Sequence, residues 1–156
     1  FRVCHNFCLI KMRNYEIKLK PIGFVRKYAQ DREISKIILF DEFKEGLEGL
    51  KDFSHVFIIF WMHRISEQQR KILKVHPRGL VKLPLVGVFA TRSPFRPNPI
   101  GLTLVRLLKV EGNILTVKGL DAFDMTPVLD VKPFGRRTFS EEVRVPEWWK
   151  KLKRRG

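Results

Sequence analysis

The stretch Val86-Gly87-Val88-Phe89-Ala90-Thr91-Arg92-Ser93-Pro94-Phe95-Arg96-Pro97-Asn98-Pro99-Ile100-Gly101-Leu102 limits what this chain can fold into more than any other segment. It opens as an apolar strand and resumes as a second apolar run from Leu102 to Val110. Between them lie Pro94, Pro97 and Pro99, together with Arg92, Arg96 and Asn98. An interior strand does not tolerate that much proline, so the middle must leave the sheet. Proline fixes φ, so the loop is stiff before anything binds it. A stiff polar loop between two buried strands serves either as a rigid crossover at a barrel edge or as a mount for arginines, since sites sit preferentially on loops of rigid scaffolds.

The flanking pattern is that of many short strands. Tyr15 to Lys20 alternates apolar and polar residues and predicts a half-buried strand, bent at Pro21 and continued by Ile22 to Val25. Tyr28 to Glu33 reads as a loop and Ser35 to Phe40 as a strand. Asp41 to Asp52, with Leu47 and Leu50 at helical spacing, predicts a short helix or turn. His55 to His63 is almost wholly apolar and predicts a central strand buried on both faces. Ile65 to Lys71 reads as a loop or helical turn, Ile72 to Val75 as a strand, and His76-Pro77-Arg78-Gly79 as a turn; Val86 to Ala90 is the next strand. Leu104 to Val110 and Ile114 to Gly119 flank Glu111-Gly112-Asn113, a hairpin signature. Leu120 to Thr126 is a corner and Pro127 to Pro133 a last strand. Val145 to Lys153 predicts a C-terminal helix opened by Pro146 and closed by cations. The fold class expected is mainly β, a small single-sheeted β-barrel with a short C-terminal helix.

The charge balance narrows the partners. Lys and Arg number 31 against 16 Asp and Glu, a net charge of +15. Such an excess points to a polyanion, nucleic acid first and an anionic membrane surface second. No apolar run is long enough to span a membrane. Cys4 and Cys8, with His5 between them, form neither a disulfide framework nor a complete zinc site. They read as incidental thiols of a cytoplasmic protein. The four histidines are scattered, so no metal site is expected. Phosphate-binding glycine loops and the nucleophile elbow are absent.

Polar residues next to special backbone gather in three places: His63-Arg64 at the end of the apolar strand; Thr91-Arg92-Ser93 with Arg96 and Asn98; and Asp121 to Pro127, followed by Asp130. If the three strands are neighbours, these ends share one rim. Asp130 lies inside an apolar strand, where a carboxylate needs a partner, and Arg92 or Arg96 is expected to supply it.

The segment Gly87 to Gly101 resembles the signature of the TsaA-like (TrmO/YaeB) family. Phe53-Ser54-His55 and Asp124-Met125-Thr126-Pro127-Val128-Leu129-Asp130-Val131-Lys132-Pro133 are similar to its other two motifs, in the right order. The resemblance covers Tyr15 to Phe134. Residues 1–14 are then expected to be an N-terminal extension, 15–134 the barrel domain and 135–156 a basic C-terminal helix and tail. The resemblance implies a β-barrel, usually a homodimer, that binds S-adenosylmethionine and methylates N6 of threonylcarbamoyl-adenosine beside the tRNA anticodon. It implies cofactor contacts from His63, Arg64, Arg92, Ser93, Leu102, Ala122, Phe123, Asp124 and Met125. Asp124 or Asp130 is a candidate for the proton acceptor. Three positions depart from the family pattern. Arg64 replaces glutamine, Met125 replaces a glycine, and the Pro-Arg-Gln segment has no counterpart around Gln30-Asp31-Arg32. If residue 125 needs a positive φ, methionine is strained there. Two rival readings are a non-catalytic basic barrel that binds RNA and a methyltransferase of this fold with another substrate.

Overall fold

A computed structural model describes residues 16–28, 31–135 and 144–152. Six strands close into an antiparallel barrel: β1 (Gly23–Tyr28), β2 (Asp31–Leu39), β3 (His55–Trp61), β6 (Ile100–Glu111), β7 (Ile114–Lys118) and β8 (Pro127–Pro133). Their order around the barrel is β1-β2-β7-β6-β3-β8, with β8 returning to β1. Alternate residues point inward: Val25, Ile37, Leu39, Val56, Ile58, Phe60, Val105, Leu107, Leu115, Val117 and Val128 form one core. Leu47 and Leu50, from two 3₁₀ turns spanning Asp41–Leu47 and Leu50–Asp52, join the same core. The expected barrel, the hairpin at Gly112 and the last strand are all present.

Several local expectations give way to the barrel. Glu16 to Lys20 is not a strand, and Ile17 and Leu19 are exposed. The β1–β2 register ends at Gly23 opposite Leu39, where β2 itself ends, and the β1–β8 register ends at Gly23 opposite Val128, so the segment before Pro21 runs past the end of the ladder. Tyr15 lies outside the described residues, as do residues 1–14 with Cys4, His5 and Cys8. The polar stretch expected as a loop contributes Asp31 to Glu33 to β2: Asp31 pairs with Tyr28 of β1, and the Asp31 and Glu33 side chains are exposed, which suits polar residues. β3 buries one face, not two: Val56, Ile58 and Phe60 face the core, while Phe57, Ile59 and Trp61 are half-buried. A closed barrel has one interior, so an all-apolar strand in it must show one row to the outside.

The segment between β3 and β6 lies outside the barrel. It holds helix α1 (Glu67–Arg70), whose Ser66 and Gln69 form a reciprocal capping box, and a two-stranded ribbon, β4 (Lys74–Val75) with β5 (Val86–Gly87). The strand expected over Val86 to Ala90 therefore ends at Gly87 and becomes a 3₁₀ turn from Val88 to Ala90. The C-terminal helix is also shorter than expected: α2 runs Glu147–Lys150, and Pro146 flanks it rather than opening it.

Two glycines mark close approaches. A Cβ on Gly101 would sit 2.3 Å from the Phe60 ring, and one on Gly23 would sit 2.2 Å from the Ile38 carbonyl oxygen. The second contact is backbone against backbone and cannot be relieved by a rotamer change. Gly23→Ala is expected to lower stability by about 2–3 kcal/mol, because β1 must move off β2. Urea unfolding of both proteins measures this directly, and an unchanged midpoint would show that β1 has room the geometry denies.

Candidate functional site

The end of β3 lies between the starts of β6 and β8. Met62 N–H donates to the Pro99 carbonyl at 2.7 Å. The His63 Nδ1 atom is 3.4 Å from Thr126 Oγ1, and the Arg64 guanidinium lies 4.1 Å over the Phe123 ring. The expected meeting of the His63-Arg64 pair with the 122–126 turn is therefore a physical contact. Phe123 and Met125 are exposed in that turn, whereas Ala122 and Thr126 are buried beneath it.

The turn is bound to β1 by backbone and carboxylate together. Met125 N–H donates to the Val25 carbonyl at 2.8 Å, and Val25 N–H donates to the Thr126 carbonyl at 2.9 Å. One oxygen of Asp124 accepts the Lys27 backbone N–H at 2.8 Å, and the other lies 3.3 Å from Arg26 Nη1. Lys27 Nζ donates to the Leu120 carbonyl at 2.9 Å. Met125 reaches these contacts with φ at 60°, in the left-handed region that favours glycine.

The proline loop assigns its two arginines different tasks. Arg96 turns back into the loop, its Nη1 donating to the carbonyls of Thr91 at 3.0 Å and Ser93 at 3.2 Å, with the Val88 carbonyl at 3.4 Å. Thr91 Oγ1 donates to the Val88 carbonyl at 2.8 Å and accepts the Ser93 N–H at 3.1 Å; Ser93 Oγ in turn accepts the Phe95 N–H at 3.2 Å. These side-chain turns fix the loop along with its prolines. Arg92 takes no part in them and is exposed. It lines a cavity of about 790 Å³ with Thr91, Ser93, Pro94, Phe95 and Asp121.

Asp121 connects the two halves of the site. It adjoins the 122–126 turn, lines the Arg92 cavity, and accepts a 2.5 Å hydrogen bond from Thr103 Oγ1 on β6. In the sequence Asp121 stands only as one member of a polar cluster, with no local signal of this bridging place. The structure thus gathers His63, Arg64 and Phe123 at one contact, and Arg92 and Ser93 in an adjoining cavity. Leu102 stands apart from both, on the outer face of β6 opposite Ile59, with 55% of its surface exposed. Asp130 is not paired with either arginine of the loop. It is half-buried on β8, 2.7 Å from Lys132 Nζ.

Comparison with known proteins bears on this geometry. A family model described as the tRNA-methyltransferase O N-terminal domain matches residues 25–138. A probable S-adenosyl-L-methionine-binding protein of Methanocaldococcus jannaschii is 48% identical over 120 residues, covering 76% of this chain and 93% of that protein. The tRNA (adenine(37)-N6)-methyltransferase of Mus musculus is 48% identical over 96 residues, covering 62% of this chain and 22% of the mouse protein. The crystal structure of TrmO from Pseudomonas aeruginosa superposes with a TM-score of 0.64 at 32% identity, covering 83% of this chain and 62% of that one. The chain spans less than two thirds of the mouse and Pseudomonas proteins.

A non-glycine residue in the left-handed region is strained by about 1 kcal/mol or more. Met125→Gly is therefore expected to raise the melting temperature, with Met125→Ala, which removes the side chain and keeps the strain, as the control. Equal melting temperatures for the two variants would place the cost elsewhere.

Proposed function

The chain belongs to the tRNA-methyltransferase O N-terminal domain family, and on that premise we propose that it transfers a methyl group from S-adenosylmethionine to N6 of a tRNA adenosine, most specifically threonylcarbamoyl-adenosine beside the anticodon. The observation that carries the reading is the division between the two loop arginines. Arg96 is consumed by loop carbonyls, which leaves Arg92 exposed on a rigid mount above a cavity.

The donor set suits the cofactor. An exposed guanidinium recognises the carboxylate of the amino-acid moiety through a planar fork. The 122–125 turn presents backbone and the exposed Phe123 ring for the adenosine end, with His63 and Arg64 beside it. When bound, S-adenosylmethionine supplies a sulfonium methyl that is already strongly electrophilic. The protein's own task is then chiefly to align the nucleophilic nitrogen with it and exclude competitors. Ser93 helps set the loop that carries Arg92. The proton of the nitrogen passes to solvent or to a carboxylate. Asp124 stands in the turn but already serves Lys27 and Arg26, and Asp130 stands on β8 beside Lys132. The net charge of +15 attracts the tRNA phosphates, so affinity falls steeply with salt. With tRNA as the substrate, the protein works in the cytoplasm.

The reading includes a homodimer. The outer faces of β3 and β6 set Phe57 beside Leu104, Ile59 beside Leu102 and Trp61 beside Ile100. An apolar row of this kind on the outside of a barrel is expected to be covered, and a second copy does so while drawing Leu102 into the assembly. Leu104→Lys is expected to convert a sedimenting dimer to a monomer; a wild-type chain that sediments as a monomer would refute this part.

Calorimetry with S-adenosylmethionine tests the cofactor. Arg92→Ala is expected to weaken binding by about 10- to 100-fold, the loss of a charge-assisted hydrogen-bonded contact, with the fold intact. No binding by the wild-type chain would leave the RNA-binding barrel without catalysis, a reading that the strained Met125 and the Arg64 placed over Phe123 favour. Mass spectrometry of tRNA nucleosides from a deletion strain tests the substrate, since an unchanged level of the methylated threonylcarbamoyl nucleoside would redirect the activity to another acceptor.

A further inference from the structure

One wall of the Arg92 cavity comes from outside the barrel and its loops. α2 supplies Trp148 and Trp149, and Leu152 follows just beyond it. The indoles are half-buried, with ring centroids 5.6 Å apart and planes at 63°. Neither belongs to the barrel core. A helix of four residues has no stability of its own, so the burial of its rings is what seats it here. The remaining walls include His76, Pro77 and Arg78 from the turn before β5. Arg78 and Arg92 bring positive charge to the cavity, Arg144 and Lys151 are exposed on either side of α2, and the sequence runs on through Lys153-Arg154-Arg155.

Large aromatic faces surrounded by cations suit a nucleobase joined to phosphates. Unpaired bases stack on such rings, whereas a paired stem offers none to stack. We propose that the Trp148–Trp149 wall stacks an unpaired base of the RNA substrate next to the nucleotide that is methylated, and so selects loops over stems. The proposal deepens the tRNA-methyltransferase reading and rests on it. The cofactor residues reach this cavity only through Arg92 and Ser93, with Asp121 at their junction, so the tryptophan side is left for the acceptor.

The test uses the full chain, a fluorescently labelled anticodon stem-loop and a fully paired RNA duplex of equal length, with anisotropy for RNA and calorimetry for S-adenosylmethionine. W148L/W149L keeps apolar volume and removes the rings. It is expected to weaken stem-loop binding by about tenfold or more, the loss typical of removing a base-stacking contact. Duplex affinity, cofactor affinity and the slope of log K against log salt are expected to stay as in the wild type, since no phosphate contact is removed. W148F/W149F, which restores rings, is expected to recover most of the loss; a thermal melt confirms that each variant is folded. Equal stem-loop affinity in W148L/W149L, or an equal loss for duplex and stem-loop, would overturn the proposal. So would a loss of cofactor binding with RNA binding intact, which would put the cofactor's adenine on this wall. If the wild type fails to bind S-adenosylmethionine and the ring-dependent loop binding persists, the methyltransferase reading falls while the stacking wall stands.

Discussion

Closure of the barrel depends on a short seam. β1 and β8 pair through two register positions, Gly23 with Val128 and Phe24 with Pro127. Beyond them the ladder is continued by the turn that precedes β8: Val25 exchanges hydrogen bonds with Met125 and Thr126, and the Asp124 carboxylate accepts the Lys27 N–H that a longer strand would have paired. An unpaired row here would be an open sheet edge. The turn that completes the sheet is also the turn of the candidate site, so the seam and the candidate site draw on the same atoms. The curl that brings Met125 N–H to Val25 is what imposes a positive φ on a methionine.

Much of this was legible beforehand because barrels have a simple code. The hairpin signature Glu111-Gly112-Asn113 between two apolar runs, and the last strand over Pro127 to Pro133, mark the real strands β6, β7 and β8. Two errors share one cause, since a pattern states which residues wish to be buried but not which partners remain. Ile17 and Leu19 alternate as a strand would, yet the pairing of β1 with β2 and with β8 stops at Gly23 and does not reach them. His55 to Trp61 is apolar on both rows, yet only one row can face a closed interior.

The site was legible in outline through its motifs and illegible in its division of labour. Arg92 and Arg96 are chemically identical in a sequence. Only the inward turn of the Thr91 and Ser93 carbonyls shows that one guanidinium is structural. Asp124 likewise looked available as a base, and its ties to Lys27 and Arg26 involve residues almost a hundred positions away. The role of Trp148 and Trp149 had no local signal either, because a four-residue helix acquires meaning from the cavity it is seated against.

Trp61 and Ile100 are register partners across β3 and β6. The whole excursion between them, with α1, the β4–β5 ribbon and the proline loop, is therefore topologically one long hairpin connection. Its two ends are held at a fixed separation by the barrel, and lengthening a connection of that kind adds little closure entropy. The barrel can keep its core while this insert is lengthened, trimmed or exchanged. The insert also carries His63, Arg64, Arg92 and Ser93 of the candidate site, so its length is free to diverge only where those residues keep their places, whereas changes in the 122–126 turn must preserve the closure of the sheet.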